Sequence, residues 1–191
     1  LEGLDMVLIR TRIEDPEMLS NTLAELSGAL VSGVTDVNHV FVPEARSRVE
    51  GVLTATPAKL ASSMGLNRQG GAAIRVGLID TKLDQSHVAL AASAIVVADF
   101  GRYSAKRPVG HGTAVASILV GNDALGFTGL MPDASLFAAS VFVEPEPGKQ
   151  VATTESLILA LDWMVSNRVS VVNMSLSGPS NALLELAITR A

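Results

Sequence analysis

The chain has 191 residues with 48% hydrophobic and 17% charged side chains, a balance typical of a globular protein with a buried core rather than a disordered chain. Its formal net charge is −5, and because no cluster of lysine or arginine stands out, the composition argues against nucleic acid as the main partner. The absence of cysteine excludes disulfides, thiolate zinc sites and cysteine nucleophiles, but it leaves the cellular compartment open.

The first 45 or so residues predict a small strand–helix–strand unit. Residues 5–10 and 38–42 are predicted strands, and Asp15-Pro16-Glu17 predicts a helix start with Asp15 as its N-cap. Leucines at helical spacing predict one buried stripe on this helix: Leu19, Leu23 and Leu26. We place a domain boundary near residue 50, so that residues 1–50 form a small α+β unit with the start of a linker and residues 51–191 form a second domain. The residue pattern alone is also compatible with a structural extension that has no function of its own.

After a mixed, polar stretch, the pattern changes to alternating strands and helices. Strands are predicted at 74–79, at 94–98, within 134–143 and at 169–176, and helices at 57–64, at 113–120, from residue 153 and over 180–189 with Ser180 as the cap. Apolar strands without polar alternation, separated by helices, predict a parallel sheet that is covered on both faces. Helix 113–120 is apolar all round and is expected to be buried. Because the chain ends on a helix, we expect the sheet to lack its next strand.

Asp80 ends the apolar strand 74–79 and is the first candidate for chemistry. Ligands of open α/β sheets bind at the carboxyl ends of the strands. Taken alone, an aspartate here is more simply explained as the cap of the following turn. A strand followed by an acid also occurs in nucleotide sites, although no Gly-x-Gly-x-x-Gly turn follows a strand in this sequence.

His111 is the second candidate, within Gly110-His111-Gly112-Thr113 at the start of a predicted helix. Glycine on both sides allows other backbone or a substrate to approach closely. The helix dipole disfavours an imidazolium at this end, which helps to keep the ring a neutral base. A lone histidine here would be interpreted as a local hydrogen-bonding group. Together with Asp80, however, it supplies two of the three members of a Ser-His-Asp triad.

Three segments in this order resemble the subtilisin-like serine proteases (subtilases, peptidase family S8): Ile79-Asp80-Thr81, Gly110 to Ala116, and Ser175-Leu176-Ser177-Gly178. The resemblance covers residues 70–191. It implies an α/β fold with a doubly wound parallel sheet of the subtilisin type, incomplete here. It also implies that Asp80 and His111 are the catalytic aspartate and histidine. Ser175, Leu176, Ser177 and Gly178 would bind the substrate backbone and line the pocket for the residue before the cleaved bond.

The family resemblance also implies a role for the residues before the catalytic domain and shows which catalytic motif this sequence lacks. Residues 1–50 would be a remnant of the inhibitory prodomain, and His87 would be structural. No segment resembles the nucleophile motif Gly-Thr-Ser-Met-Ala, so we interpret the chain as an N-terminal fragment that cannot perform acyl transfer alone. Lys82 replaces the glycine of the family's Asp-Thr-Gly and favours one alternative, a catalytically inactive interaction module. A nucleotide-binding α/β domain is the other alternative.

The resemblance further implies a serine endopeptidase whose partners are a polypeptide substrate and the C-terminal part of its own catalytic domain. No cofactor is expected; calcium is a family possibility, but no dense carboxylate loop supports it. A secreted, periplasmic or cell-envelope location follows from the family alone. No signal peptide is visible, and the longest strongly apolar run, residues 88–98, is too short to span a bilayer.

Overall fold

The structure of the chain is a computed structural model, and it describes residues 1–30, 33–44, 57–63, 74–102, 105–122 and 126–191. In chain order the helices and strands are α1 (Leu19–Ala29), β1 (Val40–Pro43), α2 (Pro57–Ser63), β2 (Arg75–Asp80), β3 (Ile95–Asp99), α3 (His111–Val120), β4 (Ser135–Ser140), β5 (Val143–Glu146), β6 (Lys149–Thr153), α4 (Thr154–Ser166), β7 (Val171–Met174), β8 (Leu176–Ser177) and α5 (Ala182–Arg190). All four strands predicted beyond residue 70 are present, within a residue or two of their predicted bounds.

A parallel sheet with the strand order β3-β4-β2-β7 carries the centre of the fold. Side chains alternate between its two faces, as the period of a strand requires. One face packs on α3 through Val76, Leu78, Leu136, Ala138, Ala116 and Val120. The other face packs on α4 and α5 through Ile79, Phe137, Ala139, Leu157, Leu161, Met164 and Ala187. Helices therefore cover both faces, which confirms the predicted α/β class with a doubly wound parallel sheet.

A second sheet is antiparallel, with the order β5-β6-β1-β8. Of its four strands, the sequence predicted only β1 as a separate element. The β5–β6 hairpin turns at Gly148, whose φ of 77° is a conformation that glycine adopts without strain. The preceding Pro147 makes a Pro-Gly pair, the kind of turn signal that could have revealed this hairpin.

The predicted strand at residues 5–10 is wrong. A turn over residues 2–5 leads into an irregular segment, and Leu4 is anchored on α4, where its N–H donates to Asp162 Oδ1 at 3.1 Å. Arg10 pairs with Glu155 at 3.0 Å. These two contacts hold the segment along helix α4, so its apolar alternation does not lead to strand pairing.

Helix α1 begins as predicted but lies on the surface. The Asp15 carboxylate accepts the Glu17 N–H at 2.9 Å, which confirms the N-cap in front of a short 3-10 turn. The predicted buried leucine stripe is wrong, because α1 contains no buried residue and Leu26 is 37% exposed. An apolar stripe becomes buried only where another element faces it.

The predicted boundary near residue 50 lies outside the described residues and stays a prediction. Leu4 and Phe41 both belong to the apolar cluster that α4 and α5 form on one face of the parallel sheet. These two residues of the N-terminal part of the chain therefore share a core with residues of the parallel sheet, α4 and α5.

Two helical details differ from expectation. Helix α3 is buried along one side only, since Ala114 and Ile118 face away from the sheet and Ile118 is 45% exposed. Helix α5 is capped by Asn181, whose Oδ1 accepts the Leu184 N–H at 2.9 Å, and not by Ser180. The Ser180 hydroxyl instead donates to Glu185 Oε1 at 2.8 Å.

Candidate active site

Asp80 occupies the carboxyl end of β2, in the middle of the parallel sheet. It is almost fully buried, with 1% of its surface exposed. Its Oδ1 accepts the N–H of Thr81 at 2.6 Å, which fixes the orientation of the carboxylate. A buried carboxylate needs such partners, because an unpaired charge in the interior is strongly unfavourable.

His111 is the first residue of α3, and the two glycines beside it permit the turn into the helix and the close approach of the helix to the end of β2. Gly110 has a φ of 130°, which a residue with a side chain rarely adopts. A Cβ at Gly112 would lie 2.5 Å from the Thr81 carbonyl oxygen, so only glycine fits there. The Gly112 N–H also donates to Thr81 Oγ1 at 2.8 Å. The start of α3 is thereby fastened to the residue that follows Asp80.

The two side chains meet as the sequence predicted. His111 Nδ1 lies 2.9 Å from both carboxylate oxygens of Asp80. An ionised carboxylate only accepts hydrogen bonds, so it holds the imidazole in the tautomer that carries its proton on Nδ1. The lone pair then lies on Nε2, and the ring is partly exposed, with 32% of the side chain accessible. This arrangement presents an oriented base to solvent or to a substrate.

Lys82 does not contact the pair in the described structure. Its backbone N–H donates to the Pro108 carbonyl at 3.0 Å, and its side chain is exposed. No described contact brings its ammonium group to Asp80. The substitution that favoured an inactive relative therefore leaves the geometry of the Asp80–His111 pair intact.

Asp84 and His87 line an open cavity of about 490 Å³ beside α3. The Ser86 hydroxyl and N–H donate to Asp84 and hold the pKa of this carboxyl below its ordinary value, against a small opposing effect of burial. His87 Nδ1 accepts the Ala89 N–H at 3.3 Å and begins a 3-10 turn at residues 88–90. Both residues serve local structure through these contacts.

The segment predicted to bind substrate, Ser175 to Gly178, is paired with another part of the same chain. Strand β8 (Leu176–Ser177) runs antiparallel to β1, with Val42 opposite Ser177 and Pro43 opposite Leu176. The Glu44 N–H continues this ladder by donating to the Ser175 carbonyl at 3.1 Å. An extended peptide segment thus lies along the edge at which the sequence analysis placed a substrate.

The other side of β1 pairs with β6, which the sequence analysis missed. Val40 lies opposite Thr153 and Phe41 opposite Ala152, again antiparallel. The Phe41 side chain is 3% exposed and packs over Gly178, where a Cβ would collide with its ring. The role of Gly178 in making room for this ring has no signal in the sequence, since β1 and β8 are far apart in the chain.

No group of three or more histidine, aspartate or glutamate residues that could hold a metal ion exists among the residues that the structure describes. Within the same ranges, no helix is long and apolar enough to cross a membrane.

Comparisons with known proteins identify a family for the chain. A sequence model of the Subtilase family matches residues 71–190. The chain is 32% identical over 123 residues to Subtilisin amylosacchariticus of Bacillus subtilis subsp. amylosacchariticus, an alignment covering 61% of this chain and 31% of the relative. It is 33% identical over 84 residues to the Minor extracellular protease Epr of Bacillus subtilis (strain 168), covering 43% of this chain and 12% of that protein.

Among solved structures, the Prenylagaramide maturation protease PagA has a similar fold, with a TM-score of 0.53 and 24% identity over 69% of this chain and 46% of that chain. The chain thus spans less than half the length of each protein named. The family match includes both the Asp80 and the His111 segments, which the structure joins at 2.9 Å. By its sequence and its fold, the chain belongs to the subtilase family.

Proposed function

We propose that the protein containing this chain is a serine endopeptidase of the subtilisin type, in which His111 is the general base and Asp80 orients it. The observation that carries the proposal is the hydrogen bond from His111 Nδ1 to a carboxylate that is 99% buried, because this arrangement leaves Nε2 free to exchange a proton. In the reaction, Nε2 takes the proton of a serine hydroxyl and later gives it to the leaving amine. Asp80 stabilises the imidazolium that forms in between.

The nucleophilic serine of the proposed triad would come from a segment other than these 191 residues. The 191 residues contain no serine in a Gly-Thr-Ser context, and Ser117, inside α3, donates its hydroxyl to the Thr113 carbonyl. A base and its orienting carboxylate lower no barrier to acyl transfer without a nucleophile and an oxyanion hole. We therefore propose that the 191-residue chain by itself does not hydrolyse peptides.

A polypeptide substrate would bind as an added strand along Ser175 to Gly178. The support is β1, which already lies along this edge with antiparallel register and a Glu44–Ser175 hydrogen bond. Backbone pairing of this kind gives affinity without regard to side chains, while pockets for alternate side chains give specificity. We also propose a secreted, periplasmic or cell-envelope location, on the strength of an extracellular relative alone.

The test is a peptidase assay with a general protein substrate, together with fluorophosphonate labelling of active serines. The 191-residue chain should show neither turnover nor labelling. A longer chain that includes a Gly-Thr-Ser-x-Ala segment should show both, and His111→Ala should abolish them whereas the control variant His87→Ala should not. Labelling of any serine within residues 1–191 would contradict the assignment.

A further inference from the structure

The open cavity of about 490 Å³ beside α3 is not accounted for by the Asp80–His111 pair. Its volume falls within the range of about 300–1,000 Å³ that is usual for ligand sites. Its walls are mainly apolar, with contributions from Val88, Val109 and Ala114. Asp84 places a carboxylate against these walls, and no lysine or arginine is among the described residues that line the cavity. The cavity therefore combines apolar surface with one negative charge.

Hydrogen bonds hold the walls of the cavity together. The Asp84 N–H donates to Thr113 Oγ1 at 2.9 Å, which ties the segment after β2 to α3. The Asn122 N–H donates to the Ala89 carbonyl at 2.9 Å, which ties the 3-10 turn at residues 88–90 to the far end of α3. A ligand would thus meet walls that are already in position, and such preorganisation favours binding.

Asp84 retains an oxygen that is available to a ligand. The Ser86 hydroxyl and N–H both donate to its Oδ1, and no described residue donates to its Oδ2. The two bonds from Ser86 keep the pKa of this carboxyl below its ordinary value, so the group is ionised at neutral pH. An ionised oxygen beside apolar walls is complementary to a cation on an apolar stem. Lysine and arginine side chains have this form, because their methylene groups pack on apolar surface while the charged end pairs with a carboxylate.

The cavity begins next to the catalytic histidine. Ala114 lies three residues after His111, so the two side chains share one face of α3, about one turn apart. Gly110, which directly precedes His111, also lines the cavity. A peptide whose reacting bond lies at His111 therefore has this cavity within reach of its neighbouring side chains.

The proposed substrate edge lies on the other side of the parallel sheet. Leu176, within the edge Ser175 to Gly178, packs on the apolar cluster of α4 and α5. The cavity lies against α3, which packs on the opposite face. A peptide that is held along the edge before its cleaved bond and crosses His111 at that bond therefore continues toward α3.

We propose that this cavity binds a lysine or arginine side chain of the polypeptide substrate, on the C-terminal side of the cleaved bond. The charged end of that side chain donates to Asp84 Oδ2, and its stem packs on Val88, Val109 and Ala114. Its place in a substrate rests on the proposed function. The affinity of the cavity for a basic side chain stands on the geometry of the cavity alone.

The first experiment measures binding to the 191-residue chain by the ¹H–¹⁵N shifts of Val109, Gly110 and Ala114. The probes are N-acetyl-arginine methylamide and N-acetyl-citrulline methylamide, which have nearly the same shape but differ in charge. The arginine compound should bind about tenfold more tightly, as expected for one charge-assisted hydrogen bond. Asp84→Asn keeps an oxygen for both Ser86 bonds, and it should bind the two compounds equally.

Two further variants make this result specific. Asp133→Asn is the matched control, because it removes the same charge from an exposed carboxylate outside the cavity. Its affinity for the arginine compound should change less than twofold. Ala114→Leu narrows the cavity from the exposed side of α3 and leaves Asp84 in place. It should also weaken binding of the arginine compound, which keeps the proposal testable if Asp84→Asn does not fold.

The second experiment uses a longer form of the protein that carries its nucleophile. Peptides with arginine or citrulline at the first or second residue after the cleaved bond are compared by kcat/KM. The wild type should prefer arginine at one of these positions by about tenfold, and Asp84→Asn should lose that preference.

Equal binding of the two compounds by the wild-type chain, or an equal loss of affinity in Asp133→Asn, would overturn the cavity as a site for a basic side chain. Selective binding with no preference in kcat/KM at either position would overturn its place along the substrate. Because the binding measurement needs no peptidase activity, failure of this proposal and failure of the proposed function are distinguished.

Discussion

Phe41 on β1 packs against Gly178, the residue that follows β8: its ring occupies the space that a side chain at position 178 would need. This match allows the aromatic ring to reach the core cluster that α4 and α5 share with the parallel sheet. It links the first part of the chain to the edge at which a substrate is proposed to bind.

Gly178→Ala should therefore displace Phe41 and weaken the docking of β1. An added methyl group in a packed site costs about 1–3 kcal/mol, and we expect a loss of that size in the free energy of unfolding. Denaturant unfolding followed by tryptophan fluorescence measures it. Gly28→Ala is the matched control: nothing lies within 4 Å of a Cβ there, so it should be neutral or stabilising by up to about 1 kcal/mol. Equal stability of Gly178→Ala and the wild type would show that β1 is not held by this contact.

The Asp80–His111 pair could be predicted from the sequence because each residue lies in a short, continuous motif at the end of a strand or the start of a helix. The ends of neighbouring elements of a parallel sheet meet at one edge, so two local patterns determine a contact between residues 31 positions apart. The glycines beside His111 belong to the same motif: Gly112 is needed for the close approach to Thr81, and Gly110 for a backbone φ of 130° before the helix.

The pairing of β1 could not be predicted in this way. Its partners Thr153 and Ser177 lie more than a hundred residues away, and antiparallel register depends on the core into which Phe41 packs rather than on any local pattern. The leucines of α1 show the opposite error, in which a local pattern predicts burial and the structure shows an exposed helix. Leu26 has the spacing of a buried stripe, yet in the described part of the chain it is 37% exposed, because spacing alone does not supply a covering surface.

Asn181→Ala should lower the free energy of unfolding by about 0.5–2 kcal/mol, because it removes the cap of α5. The same substitution deletes the donor to Val37 and His39, so we expect a value toward the upper end of that range. Ser180→Ala, at the position that the sequence favoured as the cap, should change stability by less than about 0.5 kcal/mol. Thermal and denaturant unfolding compare the two, and a larger effect of Ser180→Ala would contradict the observed cap.

Ser86→Ala should raise the pKa of Asp84 toward its ordinary value, because the hydroxyl is the main group that lowers it. A lowered folded-state pKa stabilises the fold at pH values above the ordinary carboxyl range, and this contribution is lost as the pH falls through the lowered value. As the pH is lowered through the acidic range, the free energy of unfolding of the variant should therefore fall less than that of the wild type. A ¹³C titration of the carboxyl group measures the change. Glu144, whose pKa is lowered separately by the Gly148 N–H and by Lys106, is the internal control and should not move.

Asp80→Asn should reduce kcat by about 10⁴-fold in a form of the protein that carries its nucleophile, with little change in fold. The asparagine amide fits the same space, but it can donate to Nδ1 and so favours the wrong imidazole tautomer. Lys82→Ala is the control, because the Lys82 side chain is exposed and the described structure shows no contact between it and the pair. Its kcat should stay close to that of the wild type. If Lys82→Ala instead restored activity to an inactive protein, the lysine would be what silences the site. If Asp80→Asn retained full activity, the hydrogen bond at 2.9 Å would have no catalytic role.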